Sequence, residues 1–259
     1  MKYTMMVRLL EMKIGIMDSG IGGLTVLKEC LMRLSAHEYL YYADSKHAPY
    51  GTKSKEDVYQ LTRSAVDYLV KEGAEMIVIA CNTATSAAAK QLRAVYDIPI
   101  IGMEPAIKPA LAIAGDQRVL VTATGLTLAS DKFKALVAEL DPESKIDCCP
   151  LTELVNFAER GNFSEETIMP YLEKKFAEID LTDYGSIVLG CTHFPLFKRH
   201  FEKILPANIH IVDGSSGTVS RVNEFVTTPS AQPSVKFFLS GHCLEQGEMF
   251  ERIQWILRQ

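Results

Sequence analysis

Residues 77–83 read I-V-I-A-C-N-T, and residues 187–193 read I-V-L-G-C-T-H. Each is a run of β-branched and apolar residues that ends in a small residue, a cysteine, and then short hydroxyl, amide or imidazole side chains. A strand buried on both faces of a parallel sheet has this composition, and the thiol then falls in the loop at its carboxyl end. In open α/β sheets the crevice beyond those ends is where ligands bind. Two thiols delivered in the same way from two halves of one chain predict a small molecule held from both sides.

Working outward, strands and helices alternate, which predicts an α/β fold with doubly wound, mainly parallel sheets. Strands are expected at 13–18, 40–43, 76–80 and 100–101, with helices at 24–33, after Ser54, and at 84–95. Ser54 and Asp57 stand in a near capping-box relation, and Val58, Leu61, Ala65, Val66 and Leu69 then follow a helical period. The pattern restarts with strands at 118–121, 145–149, 186–190 and 209–212. Helices are expected at 128–140, 151–159, 165–178 and after Pro195, then a strand at 235–239 and a helix at 247–257. Two similar lobes joined by short crossings fit this better than one continuous sheet. Residues 1–12 read as a leader, or as an upstream start, since Met12-Lys13-Ile14-Gly15 would open the first strand cleanly.

The chain has 259 residues, 47% of them hydrophobic and 23% charged, with a net charge of −5. Those values describe an ordinary globular protein and argue against a nucleic-acid surface, which needs a basic patch. No apolar run reaches the length of a membrane span. Arg8 and Glu11 interrupt any signal-peptide core, so the expected compartment is the cytoplasm. The six cysteines lack C-x-x-C spacing and are expected as free thiols. A zinc site from Cys81, Cys191 and His193 has no local spacing to support it.

The loop D-S-G-I-G-G-L-T, 18–25, follows a strand and opens a helix. Its glycines fit either an anion site at a helix N-terminus or a plain tight turn, and G-x-G-G is not the dinucleotide fingerprint. Asp18 would sit badly beside a phosphate and is expected to work with another group in the crevice. The loop Y-A-D-S-K-H-A-P-Y-G, 42–51, fits a turn on its own terms. Cys81 stands where a helix begins, which favours the reactive thiolate. Cys191 has His193 two residues on, able to take or return its proton. A Cys-His pair alone also suits a cysteine hydrolase, but that chemistry leaves the second, equivalent cysteine without a part. Two acid/base groups facing one carbon from opposite sides are what stereoinversion requires. Cys30, Cys148, Cys149 and Cys243 read as structural.

In this order and spacing, D-S-G-I-G-G-L-T, A-P-Y-G-T, A-C-N-T-A-T and G-C-T-H-F-P-L resemble the bacterial glutamate racemases of the cofactor-independent aspartate/glutamate racemase family. The resemblance runs from about Lys13 to the C-terminus. It implies two pseudo-symmetric α/β lobes, 13–105 plus 214–259 and 106–213, with the active site in the cleft between them. It implies Cys81 and Cys191 as the two bases, serving D- and L-glutamate respectively, with Asp18 assisting Cys81, His193 assisting Cys191, and Glu159 as a further catalytic carboxylate. Asp18, Ser19, Tyr50, Gly51, Asn82, Thr83, Thr124, Thr127, Thr192 and His193 would hold the substrate, L- or D-glutamate. No cofactor or metal is implied, the product D-glutamate would feed peptidoglycan synthesis, and a homodimer is expected. Ala43, His47 and Asp213-Gly214-Ser215 depart from the family pattern and bear on loop shape and substrate tuning. An aspartate-specific relative and a non-catalytic binding protein with the same cleft remain as alternatives.

Overall fold

The computed structural model describes residues 12–34, 37–141, 144–226 and 233–258; eleven of the twelve residues read as a leader lie outside it. The first alternation is β1 (Lys13–Asp18), α1 (Leu24–Arg33), β2 (Glu38–Ala43), α2 (Lys55–Lys71), β3 (Met76–Ile79), α3 (Asn82–Leu92) and β4 (Ile100–Gly102). After α4 (Ile107–Ala114) come β5 (Arg118–Ala123), α5 (Gly125–Ala129), α6 (Asp131–Leu140), β6 (Ile146–Pro150) and α7 (Glu153–Glu159). Then follow α8 (Glu165–Phe176), β7 (Tyr184–Leu189), α9 (Lys198–Ile204) and β8 (His210–Asp213). The chain closes with α10 (Ser215–Asn223), β9 (Ser234–Leu239), β10 (His242–Leu244) and α11 (Glu248–Arg258).

Two sheets result. One has the order β10-β9-β2-β1-β3-β4 and the other β6-β5-β7-β8. Every pairing is parallel except the β9–β10 hairpin. Counted from its own first strand, each alternation lays its strands in the spatial order second, first, third, fourth. The connections therefore leave the first and third strands toward opposite faces, and a crevice opens at their carboxyl ends. Cys81 follows the third strand of one sheet and Cys191 the third strand of the other.

The strands are where their composition places them because they are buried. β3 and β7 have no exposed residue, and Ile14 and Ile16 of β1 are fully covered. One apolar cluster joins Ile14 and Ile16 to Leu120 of β5, Ile187 and Leu189 of β7, and Ile253 and Ile256 of α11. This shared core ties the two sheets together and fixes how their loops face each other.

Several expectations change. The helix expected over 128–140 is interrupted at Ser130, whose backbone is extended (ψ 142°) and whose hydroxyl accepts from the Phe133 N–H at 3.2 Å. A serine there caps a new helix rather than continuing the old one. The helix expected to start at Ala84 begins at Asn82, with Cys81 as its N-cap. α4, α10 and β10 were not among the elements read from the sequence.

Candidate active site

Both thiols are buried, Cys81 4% and Cys191 7% exposed, and the residues around them come from both sheets. Cys81 Sγ accepts the Ala84 N–H at 3.4 Å and lies 3.5 Å from the Ser19 hydroxyl. Burial, with the Asp18 charge nearby, pushes the Cys81 thiol up to about 12; Ser19 and the Ala84 N–H pull the other way. The helix N-terminus is thus overruled by desolvation, and Cys81 is a protonated thiol at neutral pH.

Asp18 is fully buried at the end of β1, with Oδ1 accepting the Gly20 N–H at 3.0 Å and Oδ2 accepting the Thr192 hydroxyl at 2.9 Å. Burial pushes its carboxyl up to about 6 against the pull of His193. Its hydrogen bonds run to Gly20 and Thr192, while the hydroxyl against Cys81 is that of the neighbouring Ser19.

Cys191 has a different set of neighbours. Its sulfur lies 3.8 Å from His193 Nδ1, and His193 Nε2 lies 2.7 Å from Glu159 Oε1. Burial alone would lower the proton affinity of the imidazole, but Cys191 and Glu159 outweigh it and hold His193 well above its usual range. Burial likewise pushes Glu159 up, yet His193 and the Ile21 N–H hold it below the usual carboxylate range. The result is a thiol, an imidazole and a carboxylate in line.

The glycine loop explains itself at this junction. Glu159 Oε1 accepts the Ile21 N–H at 2.7 Å, so the anion at the start of α1 is a carboxylate of the chain itself. A Cβ at Gly20 would strike the Glu159 carboxylate, and one at Gly22 would strike His193 Nδ1 and Thr192 Oγ1. The glycines make room for side chains of the opposite sheet, and the anion at this turn is supplied from within the chain.

Three hydroxyls meet across the same junction. Thr83 Oγ1 lies 2.9 Å from Thr124 Oγ1 and 3.1 Å from Thr127 Oγ1, and the latter two are 3.0 Å apart. Gly51 packs against Thr124, where a Cβ would stand 2.7 Å from the threonine Cβ. Asn82 donates to Met103 Sδ at 3.2 Å, and its buried Oδ1 has no hydrogen-bond partner. The Tyr50 hydroxyl donates to Asp44 Oδ2 at 2.7 Å, alongside His47 and Ser240 on the same carboxylate. Its side chain braces the loop, and Gly51 beside it meets Thr124 of the other half.

Thr25 and Arg252 were not singled out in the sequence. The Thr25 hydroxyl donates to Gly22 O at 2.9 Å and Thr192 O at 3.3 Å, and Arg252 Nη1 donates to the Glu159 backbone carbonyl at 2.9 Å. The Thr25 signal was its place at the end of the glycine motif; Arg252 has none, because its partner is 93 residues away. Among the described residues no cluster of three or more His, Cys, Asp or Glu side chains is arranged to hold a metal ion. A groove of about 1060 Å³ runs between the β4 edge and α10, past Tyr96, Ile100, Ser216 and Phe225, and none of the paired thiol residues lines it.

The profile of the Asp/Glu/Hydantoin racemase family matches residues 14–222. The chain belongs to that family. It is a racemase, and its site has to invert a carbon centre. Among its relatives, the glutamate racemase of Campylobacter concisus is 46% identical over 245 residues, covering 92% of this chain and 94% of that protein. Glutamate racemase 2 of Bacillus subtilis is 44% identical over 247 residues, covering 93% of each. Escherichia coli glutamate racemase, solved with L-glutamate and the activator UDP-MurNAc-ala, superposes on this racemase with a TM-score of 0.83 at 27% identity. That superposition covers 96% of this chain and 95% of the other.

Proposed function

We propose that this chain is a glutamate racemase that interconverts L- and D-glutamate by two-base proton transfer between Cys81 and Cys191. The observation that carries the reading is the pair of buried thiols, each at the carboxyl end of the third strand of its own sheet, whose neighbours meet where Asp18 accepts the Thr192 hydroxyl. One sulfur removes the α-proton while the other delivers a proton to the opposite face. Cys81, held protonated, is the acid for the enantiomer presented to Cys191. Cys191 reaches the thiolate by passing its proton to His193, whose charge Glu159 stabilises. After turnover the roles exchange, and Asp18, poised near 6, is placed to receive a proton on the Ser19–Cys81 side. By family analogy Cys191 takes the proton of L-glutamate and Cys81 that of D-glutamate.

The carbanionic transition state needs fixed donors in a site closed to water. Thr83, Thr124, Thr127 and Thr192, the Asn82 amide and the N–H groups that open α3 are suited to the substrate's carboxylates. The unpartnered Asn82 Oδ1 is an acceptor awaiting a donor such as the substrate ammonium. The chemistry uses only side chains of the chain, with no cofactor in any step. The boundaries 13–105 plus 214–259 and 106–213 describe the lobes of this reading, with the substrate between them. A cytoplasmic homodimer supplying D-glutamate for peptidoglycan completes it.

Aspartate is the second substrate to weigh. The likeness to Picrophilus torridus aspartate racemase, at 16% identity and a TM-score of 0.57, speaks for the fold alone. The relatives above 40% identity favour glutamate. The test is incubation of the dialysed, metal-chelated protein with L-glutamate in D₂O, following optical rotation and α-proton loss together, with L-aspartate in parallel. Falling rotation with deuterium at the α-carbon of glutamate supports the reading. Neither change with either amino acid would sink it and return the Cys-His pair to hydrolysis.

A further inference from the structure

The Glu159–His193 pair is braced from the far end of the chain. Glu159 is the last residue of α7, and Arg252 of α11 donates from Nη1 to its backbone carbonyl at 2.9 Å. A helix ends with carbonyls that lack partners, and a cation there is favoured by the helix dipole. Gly161, just beyond, has φ +70°, and a Cβ on it would lie 2.9 Å from Arg252 Cζ. The guanidinium is therefore packed against the turn that ends α7. Its other nitrogen, Nη2, faces Glu248 at 3.3 Å on the solvent side.

The same helix also reaches the His193 side. The Trp255 ring packs tilted against Phe163, centroids 5.9 Å apart, and Phe163 likewise against Phe197 at 5.2 Å. Phe197 ends the short turn Phe194–Phe197 that begins immediately after His193. Ile253 and Ile256 anchor α11 in the shared core. One helix thus holds the segment carrying the carboxylate and the segment carrying the imidazole, which must meet at 2.7 Å.

We infer that Arg252 is a positioning residue for proton transfer at Cys191: it fixes the end of α7 so that the Glu159 carboxylate meets His193. The inference rests on the racemase reading of Cys191 and His193. The groups facing His193 are Glu159, Cys191, the Thr192 hydroxyl and the charge of Asp18. Removing Arg252 loosens only Glu159 among them, so the imidazole holds its proton less tightly, while the Ser19 hydroxyl and the Ala84 N–H stay in place beside Cys81.

Arg252→Gln, Arg252→Met and Arg252→Lys are compared with the parent chain and with Glu159→Gln, with rates taken per folded molecule from circular dichroism at the assay temperature. In the Gln and Met variants kcat/KM for glutamate is expected to fall roughly ten- to a hundredfold, as a displaced catalytic group does. The limb of the pH profile that moves to lower pH in Glu159→Gln moves the same way in both, and Arg252→Lys restores most of the rate. With α-deuterated L- and D-glutamate, the primary isotope effect rises for the enantiomer deprotonated by Cys191 and falls for the other. An unmoved limb with parent kcat in folded Arg252→Gln overturns the inference. So does an isotope effect that changes equally for both enantiomers, the mark of general damage. A parent chain that racemises neither glutamate nor aspartate fails the functional reading instead.

Discussion

Asp18 is held by the fold in a setting that opposes its charge. Its carboxyl titrates at about 6 in the folded protein against 3.8 in an unperturbed chain, burial being the main cause. Between those pH values the folded state binds the proton that the unfolded state has released, so Asp18 lowers stability as pH rises through this window. The shift amounts to about 3 kcal/mol at neutral pH. Asp18→Asn, which keeps an acceptor for the Gly20 N–H, is therefore expected to raise stability at pH 8 but not at pH 3, while racemisation drops. Urea titrations at the two pH values check this, and equal gains at both would refute the burial argument. Cys81→Ala and Cys191→Ala are each expected to abolish racemisation, and full activity in either ends the two-base mechanism. The positions of Asp18, Cys81, Cys191 and His193 were legible in the sequence because each sits at a strand end. The partners were less so: whether Asp18 or Ser19 touches Cys81 depends on side-chain directions inside one turn.

Among the elements, the loop between β1 and α1 shows how a glycine pattern can be read and still mislead. Its spacing fits an anion site, and an anion is there, but it is Glu159 from a segment 138 residues away. Local sequence carries the vacancy and not the identity of what fills it. Gly22→Ala is expected to push Thr192 and His193 aside and to lower kcat/KM by about a hundredfold. Gly217→Ala, in α10 where an added Cβ meets nothing within 4 Å, should instead stabilise by roughly 0.5–1 kcal/mol. Thermal melts with steady-state rates separate the two outcomes. At the start of α2 the sequence was explicit, since Ser54 accepts the Asp57 N–H at 3.1 Å. Ser54→Ala should lower stability by about 1 kcal/mol without changing the rate. The break at Ser130 and the helices α4 and α10 escaped notice because serine, glycine and proline inside them read equally well as loop.

For the molecule as a whole, the parallel α/β architecture was legible from the alternation of strands and helices. The shared strand order of the two sheets was not, because pairing is decided by long-range packing. With both thiols buried, the proposed mechanism requires the sheets' loops to part for the substrate to enter. Cys148 and Cys243 are exposed, so a thiol reagent should label them first and Cys81 and Cys191 slowly. Adding glutamate should slow the latter pair further, as mass spectrometry of timed samples would show; fast labelling of Cys81 would contradict the closed arrangement. In the proposed mechanism the two sulfurs are served by unlike helpers, a hydroxyl and a reluctant carboxyl on one side, an imidazole and a carboxylate on the other. The two mirror-image substrates nevertheless have equal free energies in water, so the ratio kcat/KM must be identical in both directions. All the inequality of the two helper sets is thereby driven into kcat and KM separately. Whichever enantiomer the resting proton arrangement favours will saturate the protein at the lower concentration and turn over more slowly.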